Sequence, residues 1–317
     1  MIPTMVGGVT RADSVWDVHR LPRADDRTFL VTGGNAGIGY FVAEQLAGTG
    51  AEVVLGSRDP AKARAAMAAI RAQVPDARLR HLPLDLADLP RTTGWPDRLD
   101  AVVLNAGVLL DDPRRREIPD GHELMFATNH LGHFGLTALL APVLTPDARI
   151  VTTGSFTAKS EHLDFADLES TRDYRPKPAY ARSKLAQMLT GFELDRRLRA
   201  AGSAVRSVVT HPGGALDGLT PARPAVHAGR SARTLPAALL LHGKHAGAWT
   251  SVRAVLDPTV EGGDLWGPRF LGFRGRPHRE RVRGPLADLD AAARLWAISA
   301  ELTGTDPDFP AQTGAPR

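Results

Sequence analysis

Cysteine is absent from all 317 positions. That excludes disulfides, thiolate nucleophiles and cysteine-ligated metals, and it fits a reducing cytoplasm, the expected location. Long hydrophobic runs are missing too. Nothing approaches the roughly 18 consecutive apolar residues that a membrane span requires. The stretch before Thr28 is broken by Asp13, Asp17, Asp25 and Asp26 and lacks the unbroken apolar segment of a signal peptide. No acidic excess is present either: the formal net charge is +4, with eleven histidines. A mild basic balance suits nucleic acid, a membrane surface or a polyanionic small molecule. The densest basic run, Arg269, Arg274, Arg276, Arg279, Arg281 and Arg283 with Glu280 among them, has no aromatic ladder and no nucleic-acid motif. It reads as a solvated surface, and no nucleic-acid partner is expected.

What is present is ordinary in bulk, 43% hydrophobic and 23% charged, but it is strongly patterned. Thr28–Thr32 is a short apolar strand followed by a glycine turn and a helix over about Ile38–Leu46. Strands follow at Glu52–Leu55, Arg78–Leu84, Ala101–Leu104, Arg149–Thr153 and Val205–Thr210. Helices lie between them: one opened by Asp59-Pro60, with Asp as N-cap and Pro in the first turn, one over His122–Leu140 and one over Pro178–Arg199. Strands that alternate with helices across short turns make parallel βαβ units. Apolar strands signal a sheet covered on both faces. The reading is a single-domain α/β fold, a doubly wound parallel sheet of Rossmann type. An N-terminal extension covers 1–26 and the catalytic domain 27–268. The domain includes a Pro/Gly/Ala-rich loop over the site at about 214–245, with a short apolar helix near Leu235–His242. After Gly263 comes a last strand, then a basic segment, 269–317, packed on or trailing the domain.

The first turn, Thr32-Gly33-Gly34-Asn35-Ala36-Gly37-Ile38-Gly39, joins strand to helix. Gly33 permits the sharp bend, Gly37 lets backbone approach a pyrophosphate, and Gly39 lets helix pack on strand. The pyrophosphate would rest on the helix N-terminus. A ligand-free glycine turn is the alternative, but the strand–turn–helix context points to a dinucleotide. About twenty residues on, where a carboxylate would grip the ribose 2′-hydroxyl of NAD, stand Ser57 and Arg58. Arg58 can fork onto a 2′-phosphate and stack on adenine, so NADP(H) is favoured over NAD(H).

Tyr180 and Lys184 lie four apart on one helix face, with Leu185, Met188, Leu189 and Phe192 opposite. A free phenol has a pKa of about 10, and a nearby ammonium favours the phenolate. Ser155 follows the fifth strand, at the carboxyl end where such sheets bind ligands, and can donate to an oxygen that gains negative charge.

Together these residues resemble the short-chain dehydrogenase/reductase family over roughly 27–268. The resemblance rests on the TGxxxGIG turn at 32–39, Asp85-Leu86, Asn105-Ala106-Gly107 and Asn129 in NHLGHF. It continues through Ser155, Tyr180 with Lys184, and Pro212-Gly213, all in the family's order. NHLGHF, YARSKLAQ (180–187) and the long gap from Ser155 to Tyr180 are most similar to the retinol dehydrogenase branch, with its WW-domain oxidoreductase and protochlorophyllide reductase relatives. The resemblance implies a tetrad of Asn129, Ser155, Tyr180 and Lys184, with Lys184 also holding the nicotinamide ribose and Asn129 positioning a relay water. It implies that Asp85 and Leu86 flank the adenine and that Asn105, Ala106 and Gly107 line the adenosine ribose. The expected activity is hydride transfer between nicotinamide and a carbonyl or alcohol substrate, apolar or bulky, with homo-oligomerisation possible. A non-catalytic dinucleotide sensor and a lyase or isomerase on the same fold are the competing readings.

One position departs from the branch. Four residues beyond Gly213, where a threonine usually contacts the cofactor, stands Asp217, so either the loop runs differently or the contacts there are altered. The pairs His130/His133 and His242/His245 have metal-like spacing but no third ligand in register. They read as locally hydrogen-bonded helix histidines, and no metal is expected. Arg114-Arg115-Arg116 reads as a solvated loop.

Overall fold

The computed structural model describes residues 16–89, 92–307 and 309. Most of the 1–26 extension and the end of the C-terminal segment lie outside the described residues.

The apolar runs become strands of one eight-stranded sheet. In chain order these are β1 (Thr28–Thr32), β2 (Glu52–Ser57), β3 (Arg78–Pro83), β4 (Leu99–Leu104), β5 (Leu144–Thr153) and β6 (Arg206–Thr210). A two-stranded pair, β7 (Ala215–Leu216) and β8 (His242–Gly243), sits apart, and β9 (Leu265–Phe270) and β10 (Arg274–Glu280) complete the sheet. The order is β10-β9-β6-β5-β4-β1-β2-β3. All pairings are parallel except that of β10 with β9. The chain winds outward from β1 in both directions, so a crevice opens where β1 and β4 diverge at their carboxyl ends.

Helices cover both faces. They are α1 (Gly37–Ala47), α2 (Pro60–Gln73), α3 (Leu124–Phe126), α4 (Gly132–Leu140), α5 (Pro176–Ala200), α6 (Lys244–Gly247), α7 (Trp249–Leu256) and α8 (Leu289–Thr303). Burial on both sides accounts for the unbroken apolar strands: every residue of β4 is buried. The exposed–intermediate alternation at the start of β3 marks a sheet edge, where Arg78 and Arg80 reach towards solvent. At α2 the cap forms as the sequence predicts, with Asp59 accepting from the backbone N–H of Ala61 at 2.9 Å and Lys62 at 3.1 Å.

Three expectations need correction, and one is made specific. The helix expected over His122–Leu140 is interrupted: between α3 and α4 one turn of π-helix, Ala127–Leu131, widens the coil. Such bulges concentrate at functional sites, and Asn129 is in its centre. The apolar helix expected near Leu235–His242 is instead a 3₁₀ segment, Ala232–Leu239, none of whose residues is buried. Pro236 denies it an α-helical hydrogen bond. The basic segment, expected to pack on or trail the domain, is built into the sheet. It supplies an edge strand, β10, and the helix α8, whose Trp296 is 1% exposed and meets Phe134 edge-on at 4.9 Å. Finally, the arginine run at 114–116 is only partly solvated, because Arg115 turns inward to the backbone oxygen of Glu169 at 3.0 Å.

Candidate active site

A cleft of about 660 Å³ lies at the carboxyl ends of the strands, within the range of small-molecule sites. Its floor is the glycine turn. Gly33 and Gly37 both have positive φ, 67° and 59°, where a side chain would be strained. A Cβ on Gly37 would meet nothing, because that position opens outward, whereas one on Gly39 would run into the Gly33 carbonyl and Asn105. No side chain caps α1 at Ala36, which leaves its first N–H groups for an anion. The turn thus fits a pyrophosphate, as its sequence suggests. Asn35 and Ile38 line the cleft, while Gly39 serves packing alone.

At the end of β2, Ser57, Arg58 and Lys62 face the same cleft. Arg58 is exposed and forms no ion pair among the described residues. Asp59 also lines this end, but its Oδ1 is engaged by the two cap N–H groups. Asp85 and Leu86 line the opposite wall. Asp85 accepts from Ala87 N–H at 3.0 Å, which shapes the bend after β3. Asn105, Ala106 and Gly107 line the cleft as well. The Asn105 amide is committed to the Thr32 carbonyl at 2.9 Å, tying β4 to β1. Gly107 is small because a Cβ there would meet the Lys184 ammonium and the Asn129 carbonyl oxygen.

Tyr180 and Lys184 on α5 line the cleft beside Gly154. Ser155, just beyond β5, shares its hydroxyl with Thr157 Oγ1 at 2.9 Å and caps the short 3₁₀ turn Phe156–Ser160 through Thr157 N–H at 3.3 Å. Burial raises the Tyr180 pKa, and the neighbouring Ser155 hydroxyl partly opposes that rise. The Lys184 ammonium has partners of its own. Lys184 Nζ donates to the Thr153 carbonyl at 3.0 Å and to Gln187 Oε1 at 2.8 Å. Burial pulls Lys184 itself down to about 7.

Asn129 is fully buried, and its amide is spent on structure. Oδ1 accepts from Val108 N–H at 2.7 Å, and Nδ2 donates to Val108 O at 3.0 Å and Ser183 Oγ at 2.9 Å. It clamps the loop after β4 to α5 rather than lining the cleft.

Behind Lys184 runs a chain of groups that motif reading misses. Gln187 Nε2 donates to Leu104 O at 3.2 Å and lies 3.0 Å from His133 Nδ1. His133 Nε2 meets Thr32 Oγ1 at 2.9 Å, and that oxygen also accepts from Asn105 N and Ala106 N, each at 2.9 Å. Thr32 has a donor outlet to Val103 O. His133 Nδ1 also meets the Asn129 carbonyl at 3.0 Å, and burial lowers the pKa of the ring to about 3, so it is neutral. The one available signal was a glutamine on the buried side of α5, three residues after the lysine. His130, by contrast, bonds Ser299 Oγ at 2.7 Å.

Beyond β6, Pro212 lines the cleft, held by His242 Nε2 against its carbonyl at 2.7 Å. Gly213, with φ 67°, instead packs under the Phe273 carbonyl. Asp217 follows β7, which pairs with β8. Its carboxylate pairs with Lys244 at 2.5 Å and hydrogen-bonds His227 Nε2 at 2.8 Å. Of that group only Lys244 lines the cleft.

Fold and site define a Rossmann-type α/β protein with a nucleotide-sized crevice at its topological switch point. The family model described as short chain dehydrogenase matches residues 27–215. Polyprenol dehydrogenase from Mus musculus is 37% identical over 300 residues, covering 90% of this chain and 86% of its own. Retinol dehydrogenase 13 from Homo sapiens is 35% identical over 292 residues, covering 88% and 85%. A crystal structure of an uncharacterized protein from Mycobacterium Paratuberculosis superposes with a TM-score of 0.74 at 33% identity, covering 92% of this chain and 99% of that one. The chain belongs to the short-chain dehydrogenase/reductase family, in its retinol dehydrogenase-like branch. It is an oxidoreductase of that family, whose members bind a nicotinamide dinucleotide.

Proposed function

We propose that the protein is an NADP(H)-dependent oxidoreductase that interconverts a carbonyl and an alcohol, with Tyr180 as general acid and base. The observation that carries this is the convergence of Tyr180 and Lys184, with Ser155 next to the phenol, on a cleft floored by the glycine turn. The cofactor, when bound, supplies or accepts the hydride. Ser155 and Tyr180 hold the substrate oxygen, and Tyr180 gives it a proton in reduction or removes one in oxidation. Lys184 supplies positive charge next to the phenol, while Asn129 fixes the loop over which the substrate oxygen must sit. Arg58 and Lys62, with Asp59 occupied as a cap, favour a 2′-phosphate over a free 2′-hydroxyl. Two relatives take their names from polyprenol and retinol, both apolar alcohols, which supports an apolar substrate here.

The test is turnover of NADPH, and of NADH in parallel, with a panel of apolar aldehydes and ketones. The Tyr180→Phe variant should lose about 10²–10⁴-fold in kcat while binding NADPH as the wild type does. Full activity in that variant, or no turnover with any carbonyl, overturns the reading.

A further inference from the structure

Five large apolar side chains stand in solvent along one border of the molecule. Leu235, Leu239 and Leu240 come from the 3₁₀ segment and its end, and Phe270 and Leu271 from the β9–β10 turn. Leu239 is 77% exposed and Leu271 71%. They are joined in space. The Arg274 guanidinium, at the start of β10, donates to the backbone oxygens of Ala238 and Leu239, so turn and 3₁₀ segment form one ledge. The ledge borders the site. Phe273 N–H caps the turn onto Phe270 O at 2.9 Å, and its ring packs on Phe156, the residue after Ser155, at 4.4 Å.

Leu271 has φ 51°, a left-handed conformation that is uncommon outside glycine. Gly272 beside it, at φ 74°, shows what such a turn ordinarily uses. A strained leucine held out into water gains nothing from the fold of this chain.

The segments that build the ledge carry charge of nearly one sign. No aspartate or glutamate occurs in 218–256, and in 265–283 the single acid is Glu280. Glu280 is consumed by Lys159 and His211. Arg230, Arg233, Arg269, Arg276, Arg281 and Arg283 are exposed, and none forms an ion pair among the described residues. Arginines on an edge strand discourage strand addition, which accounts for part of β10. That does not account for Arg230 and Arg233, which lie off the sheet, nor for the leucines.

We infer that this face docks on an anionic lipid bilayer, the leucines and Phe270 entering the interface and the arginines resting on the headgroups. Apolar side chains in a cationic rim are the composition that binds such surfaces. A second copy of the chain is the poorer occupant. A two-fold contact would set the same patch against itself, arginine facing arginine with no acid to offset it. The docked orientation would turn the Phe156–Phe273 border of the site to the membrane, so that an apolar substrate could pass between bilayer and cleft. The docking claim itself does not depend on the proposed reaction.

The test is co-sedimentation of the full chain with vesicles of phosphatidylcholine alone and of phosphatidylcholine mixed with phosphatidylglycerol. Binding to the mixed vesicles should exceed that to neutral ones by about tenfold or more and weaken with salt. A Leu239→Asp/Leu271→Asp double variant should lose about tenfold or more of that binding. Arg233→Glu/Arg276→Glu should lower it comparably and abolish the preference for phosphatidylglycerol. All four positions are exposed, and an unchanged thermal unfolding midpoint shows that each variant is folded. Wild-type binding in the leucine variant, absence of binding to either vesicle, or a wild-type dimer in solution that the leucine variant dissociates would each overturn the inference.

Discussion

Around β1, β2 and β4 the chain is shaped by close approach. Glycines stand where a Cβ would collide or where φ is positive, and the strands are buried along their length. Beyond β6 glycines still stand at close approaches, but charge pairs are added. Asp217 pairs with Lys244 and hydrogen-bonds His227, Glu280 joins Lys159 to His211, Arg279 meets Asp264 at 2.7 Å, and Arg253 meets Asp257 at 2.9 Å. The difference follows from what each region must hold. A pyrophosphate is the same in every dinucleotide, so its cradle is built from backbone. The walls beyond β6 rest in addition on side-chain pairs, two of them anchored in β10.

The comparison breaks first at α8. If the C-terminal region were an appendage, Trp296→Ala would leave the fold intact. Against Phe134 and the Arg197 guanidinium 4.5 Å over its ring, the truncation should instead cost about 3–5 kcal/mol, read from urea unfolding. A smaller effect sharpens the nucleotide end. Arg58→Asp should weaken NADPH binding by about ten- to a hundredfold and NADH binding far less, measured by fluorescence titration. Loss of both affinities equally would remove Arg58 from 2′-phosphate recognition.

The third prediction concerns pH. Burial alone would raise the Glu280 carboxyl, but the hydrogen bond from His211 and the Lys159 ammonium overcome it and hold it at about 2, against an ordinary 4.5. A depressed folded-state value means that the stabilisation is complete above 4.5 and is lost as pH falls from there towards 2. Unfolding followed at about pH 5 and about pH 3 should show a loss on the order of 1–3 kcal/mol that Glu280→Gln removes. The least effect is expected at the ledge. Leu239→Ser should change stability by under about 0.5 kcal/mol, in contrast with Trp296.

These contrasts also explain what the sequence disclosed. The β1 turn, the doubly wound order and the positions of Ser155, Tyr180 and Lys184 were legible because each depends on local spacing or on the polarity of a short run. Asn129 was legible as a residue but not in its action, since only the folded chain shows its amide spent on Val108 and Ser183. The π-turn around it has no composition signature. Edge strand β10 was hidden because arginine and proline replace the apolar alternation that marks a strand. The Gln187–His133–Thr32 chain joins residues from α5, α4 and β1, and no spacing rule links them.

Two of the bonds that Lys184 makes have a consequence for its chemistry. A tetrahedral amine nitrogen bound to carbon and anchored by two hydrogens, on Thr153 O and Gln187 Oε1, has a single direction left. With its pKa drawn down by burial, loss of the third proton would break neither anchor. A change of charge at this lysine would therefore leave its nitrogen in place.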